Sequence, residues 1–448
     1  VALQRTENAE TFPFTKTRCF LFGYIVWALY LCVVILLANG NGFQERFFRL
    51  FNWDSYWYSS IVEFGYHTTI PPTPQKPDIS NVAFFPGYPY TARVIHLIFE
   101  ISSNRALLFA SNFYGILFFS NFFFCSRALK FSFGQSLFCL AVILCFPTSF
   151  YLLSAYSESM FMAGIFGFAA AWIRYADSGK FGVLIYGALM GMLMTSSRIT
   201  GLAVAFVPFV YESLIVANAR FFRESQTKVS FLSKSLVLSL LFGGVASLGA
   251  AAFYAFCFGK WGHWNLYGWT QEIGWGIKTQ PWFLFKHASW NRFFSAFLEF
   301  RQTGLVSSNA VSGIMTQIWI LVSLVVSTVI TRHLIQKRVV TCAVLLWGLS
   351  FSIFLISAVG LYHVRYQSMS RYLLPSFALF CPFILLVIRE LKPNQFKLGR
   401  IHWLFITVVM ALMILLQGIL LKRVTAGGWV AEPAPQIELQ RHGHNSVS

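Results

Sequence analysis

The sequence predicts an all-α polytopic membrane protein, a bundle of about eleven transmembrane helices with short interfacial helices in the loops between them. Three observations carry this. Of 448 residues, 56% are hydrophobic and 11% charged, whereas a soluble domain carries about 25% charged residues. Apolar runs long enough to cross the ~30 Å hydrocarbon layer recur along the whole chain. The basic residues between those runs fall unevenly on the two sides.

The runs lie near 19–39, 106–126, 133–153, 158–175, 199–216, 232–258, 311–331, 340–360, 372–389 and 402–421. A shorter run at 181–195 completes the set, and its Gly187-x-x-x-Gly191 permits close helix packing. Residues 88–101 are apolar but carry Arg93 and His96, so they read as interfacial or re-entrant. The run at 19–39 follows Lys16 and Arg18 and reads as a retained signal anchor.

With a cytoplasmic N-terminus, the loops 127–132, 176–180, 217–231, 332–339 and 390–401 share one side. They hold Arg127, Lys130, Lys180, Arg220, Arg223, Lys228, Arg332, Lys337, Arg338, Lys392, Lys397 and Arg400. The formal net charge of +18 is then mainly the positive-inside bias. Attraction for anionic headgroups or phosphate substrates is compatible with it. The basic residues are scattered and no recognition module is visible, which argues against nucleic acid. Cys19, Cys32, Cys125, Cys139, Cys145, Cys257, Cys342 and Cys381 all lie in or beside apolar runs and read as small apolar residues.

The whole of 1–448 reads as a single multi-pass membrane domain. Its opposite side receives two long segments, 40–105 and 259–310. The first holds a proline-rich stretch, Pro71-Pro72-Thr73-Pro74-Gln75-Lys76-Pro77, which excludes regular helix. The second carries Trp261, Trp264, Trp269, Trp275, Trp282 and Trp290, a density that suits the headgroup layer. The tail 424–448 is polar and reads as disordered.

The candidate chemistry lies on that opposite side. Only three aspartates occur, Asp54, Asp78 and Asp177. Asp54, in Asn52-Trp53-Asp54-Ser55-Tyr56, follows the first span, where an acid is costly unless hydrated or paired. Phe84-Phe85-Pro86-Gly87-Tyr88-Pro89, Tyr156-Ser157-Glu158-Ser159, Ser197-Arg198, His363-Val364-Arg365-Tyr366 and Ser370-Arg371-Tyr372 fall on the same side. Polar groups gathered at one lipid–water boundary suit a lipid-linked substrate, with its reactive group in water and its tail in the bilayer. Each residue also has a plainer reading. Asp54 would cap a helix, Glu158 would answer a helix dipole, and Arg198 and Arg371 would snorkel. His67 divides evenly between loop packing and substrate contact, and His363 reads as interfacial. Phe84 to Pro89 reads as a rigid loop, and the tryptophan run as a membrane anchor.

Taken in order, Trp53-Asp54, Gly65-Tyr66-His67 and Asn81-Val82-Ala83-Phe84-Phe85-Pro86-Gly87-Tyr88-Pro89 resemble the first lumenal loop of the GPI mannosyltransferase 2 (PIG-V) family. Tyr156-Ser157-Glu158-Ser159, Ser197-Arg198-Ile199-Thr200-Gly201-Leu202, Trp290-Asn291 with Phe297 to Gln302, and Ser370-Arg371-Tyr372 are similar to that family's later motifs. Thr200 stands where asparagine is more usual. The resemblance runs from about 50 to 375.

It implies a GT-C type bundle in the endoplasmic reticulum membrane with a lumenal active site. The activity implied is transfer of the second mannose, in α1,6 linkage, from dolichol-phosphate-mannose to a GPI precursor lipid. It also allows a small membrane partner subunit. A β-linked donor and an α product require inversion, which one displacement achieves. Asp54 is the candidate base. Arg198 and Arg371 are the candidates for the leaving phosphate, with Arg365 and His363 behind them. Trp53, His67, Phe85 and Glu158 are the remaining substrate-binding candidates. No cofactor is called for, and with no Asp-x-Asp the reaction reads as metal-independent. The alternatives are another dolichol-phosphate-mannose user acting on protein or on N-glycan precursor, a transporter, and a non-catalytic assembly subunit.

Overall fold

A computed structural model describes residues 15–68, 80–221, 226–303, 308–337, 341–366, 368–391 and 400–428. The proline-rich stretch, Asp78, Arg223, Arg338, Lys392, Lys397 and most of the polar tail lie outside these residues. The described chain is all-helical. It runs through α1 (Lys16–Leu37), α2 (Phe43–Phe48), α3 (Asp54–Phe64), α4 (Gly87–Phe99), α5 (Ser103–Ala128) and α6 (Phe133–Leu144). The middle comprises α7 (Glu158–Ser178), α8 (Phe181–Ser197), α9 (Thr200–Ala205), α10 (Val207–Phe221), α11 (Gln226–Trp261) and α12 (Leu266–Trp269). Then follow α13 (Arg292–Thr303), α14 (Ser308–Lys337), α15 (Cys342–Leu361), α16 (Met369–Leu391) and α17 (Arg400–Thr425).

Among the described residues nine helical stretches are long and apolar enough to cross a membrane, with α9 and α10 together making one of them. Helices α6 and α8 are apolar but shorter. The chain is a multi-pass membrane protein, and every apolar run in the sequence is represented by a helix. One expectation is corrected. The run 133–153 is not one continuous span, because α6 stops at Leu144 and the chain passes through a turn into a short 3-10 helix at Ser149–Leu152. Pro147 explains the stop, since proline disfavours helical geometry in the residue before it and lacks an amide donor. The carbonyls released there are met by Gln417 of α17, whose amide donates to Leu144 O at 3.1 Å and Phe146 O at 3.2 Å. An unmet carbonyl at membrane depth costs several kcal/mol, on the order of a lost hydrogen bond in hydrocarbon.

Helix α7 is the axis of the bundle. Every residue from Glu158 to Ile173 is buried, and no charge interrupts the apolar stretch between Glu158 and Arg174. Its small residues Ala163, Gly164, Gly167, Ala169, Ala170 and Ala171 let α5 and α8 pack closely against it. By contrast α1 and α17 leave Leu29, Leu36, Leu404, Phe405 and Leu412 more than half exposed. In a membrane protein those side chains face lipid.

Contacts between helix ends sort the loops into two faces. On one, Lys130 Nζ lies 3.2 Å from Asp177 Oδ1, and Arg389 Nη1 donates to Leu129 O at 3.1 Å. On the other, Asn39 Nδ2 donates to Thr425 Oγ1 at 3.0 Å, Lys260 Nζ to Tyr66 O at 2.6 Å, and Gln280 N to Val359 O at 2.9 Å. This second face carries α2, α3, α4, α12 and α13, the short helices expected between the spans. Helix α4 lies where an interfacial segment was expected. Its Arg93 donates to Ile61 O at 3.3 Å while Val94, Leu97, Ile98 and Phe99 remain exposed.

The Gly187/Gly191 pair sits at a close helix approach. A Cβ on Gly187 would lie 2.5 Å from Ala171 Cβ and 2.8 Å from Phe242 Cζ, whereas Gly182 has nothing within 4 Å. Gly187→Leu is expected to lower the melting temperature of the detergent-solubilised protein, at a cost of about 1–3 kcal/mol from overpacking. Gly182→Ala is expected to leave it unchanged or raise it slightly. Equal melting temperatures for wild type and Gly187→Leu would contradict this packing.

Candidate functional site

Four chain segments that are far apart in sequence meet on the second face, and backbone contacts set their register. Trp53 adopts φ 57° and ψ −111°, a positive-φ conformation that is costly for a bulky residue and persists only where its surroundings hold it. Its indole donates to Gly428 O at 2.9 Å. Asn52 Nδ2 donates to Arg49 O at 2.6 Å and to Val424 O at 3.1 Å. Beyond this turn Asp54 opens α3. The capping reading of Asp54 is corrected: the N-cap position is Trp53, and no side chain caps the helix.

The same strand of chain is laced to the start of α7. Ser55 Oγ donates to Ala155 O at 3.0 Å, Tyr156 OH to Asn52 O at 2.8 Å, and Ala155 N to Leu50 O at 3.2 Å. One turn along α3 from Asp54, Tyr58 OH donates to Ser157 Oγ at 3.1 Å. Glu158 is thereby carried to the side of Asp54. The start of α16 joins them through Thr148 Oγ1, which donates to Ser370 O at 2.8 Å. Ahead of α16, Arg365, Tyr366 and Ser368 take φ values of 55°, 59° and 57°, and Arg371 stands in the first turn of that helix.

The result is a buried ion cluster. Arg371 Nη1 lies 2.7 Å from Asp54 Oδ2, and Arg371 Nε 3.1 Å from Glu158 Oε1. Arg198, at the end of α8, pairs through Nη2 with the same Glu158 Oε1, and its Nε donates to Ser157 Oγ at 3.3 Å. Glu158 is completely buried, Asp54 is 8% exposed and Arg371 6%. The snorkelling readings of Arg198 and Arg371 are therefore corrected: both side chains point into protein. Glu158 does start a helix, but its carboxylate answers two guanidinium groups. Two acids and two arginines cancel in charge, which is what permits their burial.

The pairing around Glu158 is incomplete. Both arginines lie within ion-pair reach of Oε1, yet Oε1 and Oε2 make no aligned hydrogen bond with the protein.

Aromatic rings wall the cluster. The Arg371 guanidinium carbon lies 5.6 Å from the Tyr151 ring centroid and 5.1 Å from those of Tyr156 and Tyr372. That of Arg198 lies 5.1 Å from Tyr372 and 5.9 Å from Phe161. Guanidinium groups favour such ring faces. Burial pushes the phenols of Tyr58 and Tyr156 well above their ordinary range. Both stay neutral hydrogen-bond donors at any working pH.

The remaining sequence candidates have other partners or are exposed. Phe85 is buried in a second apolar cluster with Phe253, Tyr254 and Tyr267. His67 is tied to its own loop, its amide donating to Asn81 Oδ1 at 3.1 Å and its Nδ1 lying 3.0 Å from Asn81 Nδ2. His363 and Arg365 are exposed in the turn before α16. Trp264 and Trp282 are largely exposed, whereas Trp275 packs on Trp57 and Phe84. Sequence reasoning gave no role to Tyr58, Tyr151 or Tyr372. The four-residue spacing of Asp54 and Tyr58, which shares a helix face, was the available signal for the first.

No family model and no curated protein matches this chain. Two solved structures of an oligosaccharyltransferase from the archaeon Archaeoglobus fulgidus are similar to it. One, in complex with an inhibitory peptide and a dolichol-phosphate, is 13% identical with a TM-score of 0.43, covering 95% of this chain and 58% of that one. The other, in the apo form, is 14% identical with a TM-score of 0.45, covering 94% and 58%. The chain thus spans 58% of the length of the structures it matches. Neither likeness at these scores bears on activity.

The cluster makes a stability prediction. Glu158→Gln removes the shared counter-ion of two buried arginines and is expected to destabilise by about 3–5 kcal/mol. Lys130→Ala, which breaks the exposed pair with Asp177, is expected to cost under ~1 kcal/mol. Thermal melting in detergent compares the two, and equal shifts would contradict the burial described.

Proposed function

We propose that this chain is a GT-C type glycosyltransferase that uses a lipid-phosphate sugar donor. In its specific form the proposal is a GPI mannosyltransferase 2, moving the second mannose from dolichol-phosphate-mannose to a GPI precursor by a single inverting displacement. One observation carries it. Asp54, Glu158, Arg198 and Arg371, from separate motifs that resemble that family in order, meet in one buried cluster.

The roles follow from charge. Asp54 accepts the proton of the attacking acceptor hydroxyl. Arg371 and Arg198 stabilise the negative charge that grows on the departing dolichyl phosphate, in surroundings where such charges are weakly screened. Glu158 holds both arginines at that place. His363 and Arg365, exposed on the same face, are suited to lipid headgroups. Trp53 sets the approach of Asp54, while His67 and Phe85 shape the loop beside it.

The orientation proposed is a lumenal site in the endoplasmic reticulum membrane with a cytoplasmic N-terminus. The start of α1 lies on the face opposite the cluster, together with Lys130 and Arg389, which supports that orientation. A transporter would place its ionisable groups near the bilayer midplane, and the cluster stands instead at helix ends.

Mannose transfer from dolichol-phosphate-mannose, assayed with the purified chain against GPI-precursor, N-glycan-precursor and protein acceptors, tests the proposal. Transfer to the GPI precursor alone is expected, and Asp54→Asn is expected to reduce it at least ~100-fold with the protein still membrane-inserted. Normal transfer by Asp54→Asn would refute the base assignment, and transfer to another acceptor class would replace the substrate. Metal independence is part of the proposal. Chelation is expected to leave the rate unchanged, and loss restored by a divalent ion would contradict it.

A further inference from the structure

Arg371 faces three different partners, donating hydrogen bonds to two and standing in ion-pair contact with the third. Nη1 faces Asp54 at 2.7 Å, Nε faces Glu158 at 3.1 Å, and Nη2 donates to Tyr372 OH at 3.3 Å. The two carboxylates are not equivalent. Glu158 is fully enclosed and shared with Arg198. Asp54 binds only one arginine among the described ion pairs, and its side chain keeps 12% exposure at the tip of α3. Glu158 is the fixed partner of Arg371 and Asp54 the exchangeable one. In this arrangement the proposed base is masked by the cation that the proposed leaving group requires.

We propose that Asp54 and the substrate's phosphate compete for the Nη1 edge of Arg371, so that the Asp54–Arg371 pair is a latch opened by the lipid phosphate. This rests on the glycosyltransferase reading above and adds to it a coupling between donor binding and unmasking of the base. The donor phosphodiester brings one negative charge to a cluster that is neutral. Taking Nη1 releases the Asp54 carboxylate toward the acceptor hydroxyl. Nε stays on Glu158, and the rings of Tyr151, Tyr156 and Tyr372 keep the guanidinium from following the phosphate out.

The balance of the transfer then closes on the same pair. The acceptor oxygen bonds the anomeric carbon, and the bond from that carbon to the phosphate oxygen breaks with its electrons going to the phosphate. The acceptor's proton goes to Asp54. Asp54 loses its charge as the phosphate gains a second one, so Arg371 passes from carboxylate to phosphate in step with the negative charge. When Asp54 later gives its proton to water, the pair re-forms and helps expel dolichyl phosphate. Product release is thus tied to resetting the base.

The test is binding of dolichyl phosphate to the full-length chain in detergent, for wild type, D54N, R371Q and the D54N/R371Q double variant, with mannose transfer measured alongside. A latch predicts that D54N abolishes transfer yet binds dolichyl phosphate about tenfold more tightly than wild type, the worth of one freed charged donor. The gain should vanish in the R371Q background, whereas a general change of net charge would leave it there. Asp54→Ser, small and uncharged, is the second variant and should show the same gain if D54N packs poorly. Unchanged or weaker binding by both Asp54 variants, in a wild type that binds and transfers, overturns the latch alone. A wild type that neither binds dolichyl phosphate nor transfers mannose overturns the functional reading and the latch with it.

Discussion

One buried guanidinium governs the arrangement of this protein. Arg371 takes a carboxylate from the start of α3 and another from the start of α7, and the second is shared with Arg198 at the end of α8. Removing these charges from water is expensive, and only mutual pairing offsets it. Each partner therefore constrains the others. Shifting α3, α7, α8 or α16 by one residue would leave an isolated charge in a medium that cannot solvate it. Buried ion clusters contribute little net stability, because desolvation offsets their attraction, yet removing one partner is strongly destabilising. Here two acids and two arginines share that constraint.

The rest of the fold is arranged around this demand. The small residues of α7 allow the bundle to close tightly enough for Glu158 to lose all exposure. The interruption of α6 before Pro147 turns the chain early, and the segment it frees supplies Thr148, Tyr151, Tyr156 and Ser157 to the cluster. A continuous helix over 133–153 would have had no such segment. Within the membrane the same economy of polar groups holds. Ser350 and Ser376 exchange hydrogen bonds between α15 and α16, beside Pro375, and Trp319 of α14 donates to Ser376 Oγ at 3.1 Å.

Much of the fold was legible in the sequence because lipid imposes a simple rule, an apolar run per crossing. The rule failed at α6, where the run is apolar throughout but proline breaks the helix, and hydropathy does not register backbone geometry. Asp54, Glu158, Arg198 and Arg371 stood out for a similar reason: charges are conspicuous in so apolar a chain. That they gather on one face was legible; which acid meets which arginine was not. Asp54 and Arg371 are 317 positions apart, and no local pattern announces a contact of that range. The tyrosines around Arg371 were hidden by their number, since aromatic residues are everywhere in this chain. His67 and Phe85 show the converse. Each sits in a motif, but His67 serves its loop through Asn81 and Phe85 fills a packing site, and neither role can be told from ligand contact without coordinates.

Asp54 and Arg371 form a direct pair across the bundle. A double-mutant cycle on stability tests it most directly, using thermal or denaturant unfolding in detergent for Asp54→Asn, Arg371→Gln and the combination. A coupling energy of at least ~1.5 kcal/mol is expected, with the double variant more stable than the sum of the single losses implies. Additivity within ~0.5 kcal/mol, the behaviour of residues that do not touch, would contradict it.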